Sequence, residues 1–227
     1  MIRLNFIVEG QTEQLFVHEV LKKHLSMFEV YPYVRRIETG RNRGKIYRGG
    51  MTGYLKAKND IINWMREDKD PHARFTTMFD LYALPSTFPK FDESKKLSDP
   101  YKRVENLEYA FHEDLNEMRF IPYIQLYEFE TLLLSAPEIF SYAFPKFLNQ
   151  IDRLKEMTKQ FQTPEHINDK KETAPSKRII KEIPEYADLK TTAGPLIAKQ
   201  IGLKVIREKC LHFNSWINIL ENLNKQN

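Results

Sequence analysis

With 227 residues, 41% of them apolar and 29% charged, the chain can bury one sizeable core, alone or with a smaller appended subdomain, and is too hydrophobic for intrinsic disorder. No apolar run approaches the roughly 20 residues that span a bilayer, and the N-terminus lacks a signal peptide's order of basic, apolar and small residues, so a cytoplasmic protein without membrane association is expected. The formal net charge of +4 permits nucleic-acid binding without demanding it, and the single cysteine, Cys210, excludes an internal disulfide or a zinc cluster and reads as a reduced core thiol.

Ile2, Leu4, Phe6 and Val8 alternate, and Ile7 adds an apolar group on the other face, as in a strand buried inside a sheet. Glu9 then stands at the strand's C-terminal end. Gly10 allows a tight turn, and Thr12 is placed to cap a helix with apolar Phe16, Val17, Val20, Leu21 and Leu25 and with Glu13 in its first turn. Ligands of open α/β sheets bind outside the carboxyl ends of strands, so Glu9 and Glu13 point at one place. The alternative is that Glu13 only complements the helix dipole and Glu9 is a solvated turn residue.

Residues 30–37 read as a second strand, with Pro32 marking an edge or an irregular start. Residues 39–53 hold five of the eight glycines, interleaved with Arg41, Arg43, Lys45 and Arg48. Glycines let backbone amides approach an anion and guanidinium groups fork onto phosphate oxygens, so a phosphate-gripping loop is one reading; a solvated connection is the other. The spacing is not that of a Walker A loop. A helix over 54–69 returns the chain to the sheet. A third strand, 75–79, ends in Asp80. Pro85 and Pro89 break the segment after it, an amphipathic helix covers 101–118, and a fourth strand, 120–126, runs into Glu128 and Glu130.

Beyond Pro137 the pattern is helical: 137–144, 147–161, a polar loop over 163–173, a short helix opened by Pro175-Ser176-Lys177-Arg178, then 192–201 and 204–223. The expected architecture is an α/β core over 1–136, with a mostly parallel four-stranded sheet flanked by helices, and a helical C-terminal extension over 137–227 packed on it. Lys177, Arg178, Lys190 and Lys199 of that extension could face the acidic edge.

Glu9, Asp80, Glu128 and Glu130 thus gather at three strand ends. Carboxylates without Cys or His partners suit Mg²⁺ or Mn²⁺ rather than zinc, and two such ions about 4 Å apart would stabilise in-line displacement at a phosphodiester. Glycoside hydrolysis would use two carboxylates as well, but the basic segment favours phosphate. The six histidines have no metal-binding spacing, and no serine elbow or Cys/His pairing is present.

Val8-Glu9-Gly10-Gln11-Thr12-Glu13 resembles the first motif of Toprim domains, the catalytic fold of topoisomerases, bacterial primases and OLD-family nucleases. Residues 78–85 and 127–133, together with Ser176-Lys177-Arg178-Ile179 and Ile201-Gly202-Leu203, resemble motifs of a bacterial Toprim-like family known only as a domain of unknown function, DUF4276. The resemblance covers essentially the whole chain. It implies a Toprim-like core in which Glu9 holds metal or exchanges protons, Asp80 is the first acid of an Asp-x-Asp pair, and Glu13 is the second acid of the motif in OLD-like nucleases. Tyr82 departs from the pattern at the second Asp position, leaving Glu128 or Glu130 to supply the missing oxygen. The function implied is a metal-dependent nuclease, or a related phosphoryl-transfer enzyme, catalysing through Glu9, Asp80 and Glu13. Its ions would sit on Glu9, Asp80, Glu128 and Glu130, and its substrate phosphates on Arg41, Arg43, Lys45, Arg48, Lys177 and Arg178. Such proteins resemble components of phage defence, with an ATPase as partner. The competing reading is a non-catalytic regulatory module that binds nucleic acid or protein through a degenerate site.

Overall fold

The computed structural model describes residues 1–42, 45–48, 53–167 and 171–225, with the side chains of all of these except 38–42, 45–48 and 171. β1 (Ile2–Val8) leads into α1 (Gln11–Phe16) and α2 (Lys22–Ser26), joined by a π-helical turn over Val17–Leu21. Phe16 and Leu21 are both fully buried yet five positions apart, one more than an α-helix needs to return to the same face. The wider π turn absorbs the extra residue.

β2 (Val30–Arg36) follows, then an antiparallel ribbon of β3 (Glu38–Asn42) and β4 (Lys45–Arg48), α3 (Tyr54–Glu67) and β5 (Ala73–Asp80). The ribbon takes up part of the glycine-rich segment expected as a loop. Arg43 lies outside the described residues, as do the side chains of Arg41, Lys45 and Arg48. After α4 (Phe91–Ser94), the long α5 (Pro100–Leu115) starts at Asp99, whose carboxylate accepts from the Tyr101 and Lys102 amides. It leads to β6 (Phe120–Ile121) and β7 (Ile124–Gln125).

The fourth strand is therefore two short segments rather than the single run expected over 120–126. Pro122 has no N–H for the ladder, and the Thr77 hydroxyl fills the break by accepting from the Tyr123 amide and donating to the Tyr123 carbonyl, both at 3.0 Å. The remaining helices are α6 (Glu130–Leu133), α7 (Phe140–Ala143), α8 (Leu148–Thr158), α9 (Pro175–Glu182), α10 (Tyr186–Ile201), α11 (Leu203–Lys209) and α12 (Leu211–Glu221). α10 begins at Tyr186, ahead of the start expected at 192, and runs through Pro195 because its buried face of Tyr186, Ala193, Ile197 and Ala198 outweighs the proline's local cost.

The sheet runs β2-β1-β5-β6, with β7 also on β5, and every pairing in it is parallel. The chain steps from β1 to β2 on one side and later returns to β5 on the other. The crossover direction reverses between β1 and β5, which makes the crevice outside their carboxyl ends the topological switch point. On β2, Glu29 O accepts from Ile2 and Ile37 N donates to Val8, so the odd-numbered residues turn towards β1. By alternation the position of Pro32 turns outwards, and its missing N–H falls on the outer side of the edge.

One sheet face buries Leu4, Phe6 and Val8 against Phe16 and Leu21, and also against Phe213, Trp216 and Ile217 of α12. The other buries Ile7, Phe75 and Phe79 against Ile61 of α3 and Phe111 of α5. Trp216 lies flat on Tyr123, ring centroids 4.0 Å apart, and its Nε1 donates to Thr76 Oγ1 at 2.9 Å. The helices beyond residue 136 thus share a core with β1. Among the described residues no helix is long and apolar enough to cross a membrane.

Candidate acidic site at the switch point

Glu9 follows the last residue of β1, and its Oε1 accepts from the Asp80 amide at 2.9 Å, which ties the ends of β1 and β5 together. Glu13 Oε2 accepts from the Gly10 amide at 2.8 Å. The helix starts at Gln11 with Gly10 at its N-cap, so Thr12 is not the cap expected from the sequence but a buried residue of the first turn. A Cβ on Gly10 would stand 3.1 Å from Glu13 Oε2, so a larger residue there would crowd that carboxylate. Glu13 thus fills the helix-terminal role of the simpler reading.

The strand before Glu128 stops at Gln125, so Glu128 does not continue it as far as expected. Tyr127 intervenes at φ 62°, a left-handed conformation that a tyrosine adopts at a cost of order 1–3 kcal/mol. This turn presents Glu128, whose Oε2 accepts from the Ser176 amide at the start of α9 at 2.9 Å. Glu130, fully buried, opens α6; its Oε1 accepts from Tyr186 Oη at 3.0 Å and lies 3.0 Å from Lys190 Nζ.

These acids act on one another. Burial pushes Glu9 up to about 8, with Glu13's charge adding and the Asp80 amide opposing. Burial, then the charges of Glu13, Glu9, Glu130 and Glu128, holds Asp80 well above the usual carboxylate range. Burial also raises Glu13 and Glu130; Gly10's amide opposes it for the first and Lys190 for the second. Burial alone would lower Lys190, but Glu130, Glu128 and Asp80 together raise it. Asp80 is half-buried as a residue, yet its Oδ1 is shut away from water without a hydrogen-bond partner, as is Glu130 Oε2. A buried polar atom left so costs about 1–3 kcal/mol, and more if charged.

The five acids expected together are therefore brought together at the switch point. Their donor set is all oxygen, the kind that hard cations take, and Asp80 Oδ1 and Glu130 Oε2 are its two unpartnered atoms. Among the described residues no group of three or more His, Cys, Asp or Glu side chains is disposed to hold a metal ion.

Of the basic residues expected at this edge, Lys190 reaches it. Lys199 pairs instead with Glu19 at 2.8 Å. Arg178 Nε donates to the Thr173 carbonyl at 2.8 Å and its guanidinium lies over Phe161, while Lys177 is exposed. Lys177 and Arg178 line a groove of about 180 Å³ with Arg153, Lys181, Glu172 and Glu182. Tyr82 is bound into the scaffold: its amide donates to the Tyr127 carbonyl at 3.1 Å, its ring lies 5.6 Å from Tyr127's, and burial with the neighbouring Tyr127 and Glu128 pushes its hydroxyl up to about 12. Tyr186 is the site residue that motif reading misses; the spacing Tyr186, Lys190, Gly194 along one helix face is the signal that could have found it.

The model of a family described as a domain of unknown function, DUF4276, matches residues 8–221. No curated protein and no solved structure matches the chain.

Proposed function

The chain belongs to the DUF4276 family, and from the chemistry of its own residues we propose that it is a metal-dependent nuclease, or a closely related phosphoryl-transfer enzyme, with a Toprim-like core. The observation that carries this is the cluster of Glu9, Glu13, Asp80, Glu128 and Glu130 at the switch point, short of positive charge and with Asp80 Oδ1 and Glu130 Oε2 unpartnered. Glu9, Asp80, Glu128 and Glu130 would hold Mg²⁺ or Mn²⁺, which supplies Lewis-acid polarisation of a phosphodiester when bound. Glu9 keeps its Oε1 on the Asp80 amide, which fixes the carboxyl group and leaves the other oxygen to carry a proton. Because Glu9 is pushed up to about 8, it is largely protonated near neutral pH in the absence of a cation, and an ion taking it as a ligand would displace that proton. Glu13's charge adds to the burial that raises Glu9. Arg41, Arg43, Lys45 and Arg48, with Lys177 and Arg178 beside the α9 groove, would grip the DNA or RNA backbone. A role in phage defence beside an ATPase partner follows from the resemblance alone.

Plasmid DNA, single-stranded DNA and RNA incubated with Mg²⁺ or Mn²⁺ test the proposal. Cleavage is expected, and Glu9→Gln and Asp80→Asn should each abolish it; cleavage that survives both substitutions would overturn the assignment. The position of Tyr82 favours the second reading, a non-catalytic binding module, since that side chain serves the scaffold and offers no carboxylate. Under that reading nucleic acid binds without divalent metal, weakens as salt rises, and is never cut.

A further inference from the structure

The edge strand β2 has two unlike faces. Val30 and Val34 pack into the cluster of Leu21 and Leu25, whereas Tyr31, Tyr33 and Arg35, each two residues apart, project from the sheet face of Ile7 and Phe75. α3 covers that second face over β1 and β5 and meets β2 at Arg35, whose guanidinium carbon lies 4.4 Å from the Trp64 ring centroid and whose nitrogens pair with Glu67 at 3.2 Å. Tyr31 and Tyr33 are left 40% and 56% exposed. The other exposed tyrosines among the described residues, Tyr109 and Tyr142, lie on two different helices, α5 and α7.

Two rings and a guanidinium in a row on a bare face suit a single-stranded nucleic acid, whose bases stack on aromatic side chains while arginine meets its phosphates. Spacing decides against a duplex. Residues two apart on a strand stand about 6.6 Å from each other. Successive bases on one strand of a duplex are about 3.4 Å apart. Neighbouring bases therefore reach Tyr31 and Tyr33 only when drawn out of their stack, which pairing to a complementary strand prevents. Arg35 is free to turn to a phosphate, because its pair with Glu67 is exposed and such pairs contribute little. Arg3, Arg35 and Lys69 match Glu67, Asp68 and Asp70 in number on this side, so the acids there are balanced. The row also leads to the acid cluster. Arg36 is level with Val8, the residue before Glu9, so Tyr33 lies about 10 Å back along the sheet from the switch point.

We propose that Tyr31, Tyr33 and Arg35 on the bare face of β2 form a stacking platform for single-stranded nucleic acid that leads the strand to the acid cluster. The inference rests on the nucleic-acid reading of that cluster and adds to it the form of the substrate.

Fluorescence anisotropy on the full chain tests it, with labelled oligothymidylate, oligouridylate and a DNA duplex of the same length, and with chelator present so that binding is read without cleavage. Wild type should bind the single strands at least tenfold more tightly than the duplex. Tyr31→Ala and Tyr33→Ala should each weaken single-strand binding about tenfold and leave duplex binding unchanged, while Tyr33→Phe, which keeps the ring, should bind as wild type does. Equal affinity of wild type for single strand and duplex, or alanine variants that bind single strands like wild type, would overturn the inference. Metal-dependent cleavage lost in Glu9→Gln would then still uphold the nuclease reading. Failure of wild type to bind any of the probes, together with no cleavage, would remove both and leave this face to a protein partner. If an alanine variant does not fold, the wild-type comparison of single strand with duplex decides.

Discussion

Glu9 has an ordinary pKa of 4.5 and is pushed up to about 8 in the folded chain, first by burial and then by Glu13. Between those values the folded chain holds a proton that the unfolded chain has released. The associated stability is complete below about 4.5 and is lost as pH rises through about 8. Glu13, Asp80 and Glu130 are raised too and act in the same direction. Metal-free protein should therefore melt several degrees lower at about pH 8.5 than at about pH 6, since each kcal/mol moves a chain of this size by about 2–4 °C. Glu9→Gln should flatten the dependence, and a melting temperature constant across that range would count against a cluster short of positive charge. Glu9, Glu13 and Asp80 are legible in the sequence because each follows or flanks a strand whose alternation is plain. Of the partners of Glu130, Lys190 is legible as a cation of the helical extension, whereas Tyr186, 56 positions away, is announced only by its four-residue spacing to Lys190 and Gly194.

Element by element, the four parallel strand positions and most helices follow from apolar periodicity, and the departures have local causes. Pro122 splits the last strand, and burial carries α10 across Pro195. The docking of α12 rests on features that periodicity cannot supply. Glu165, fully buried, accepts from the His212 and Phe213 amides at 3.1 and 3.0 Å and so caps the helix, while Trp216 stacks on Tyr123 and bonds to Thr76. Trp216→Ala should destabilise the protein by about 3–5 kcal/mol, as expected for removing a large buried ring. Trp216→Phe should cost less, because it keeps much of the packing and forfeits chiefly the bond to Thr76, worth about 1 kcal/mol. Urea unfolding of the two variants measures both, and near-equal losses would mean that the hydrogen bond rather than the packing holds α12.

At the scale of the whole molecule, Phe6 and Val8 share one hydrophobic cluster with Ile197, Phe213 and Ile217. A fragment ending at residue 136 would expose the part of that sheet face that α10 and α12 cover, so it should fail to fold, and the full chain should unfold in a single transition by far-UV circular dichroism and by tryptophan fluorescence alike. A folded fragment would show that the helical part is an addition and not half of the core. The outer side of β2 has a further consequence. A sheet with an open rim invites a strand from another molecule, and parallel sheets extended in that way grow into fibrils. Because the amide absent at Pro32 lies on that rim, an incoming chain meets a gap in the donor row part-way along the strand. The same proline that marks the edge in the sequence thus limits the sheet to its own strands and guards the protein against templated aggregation.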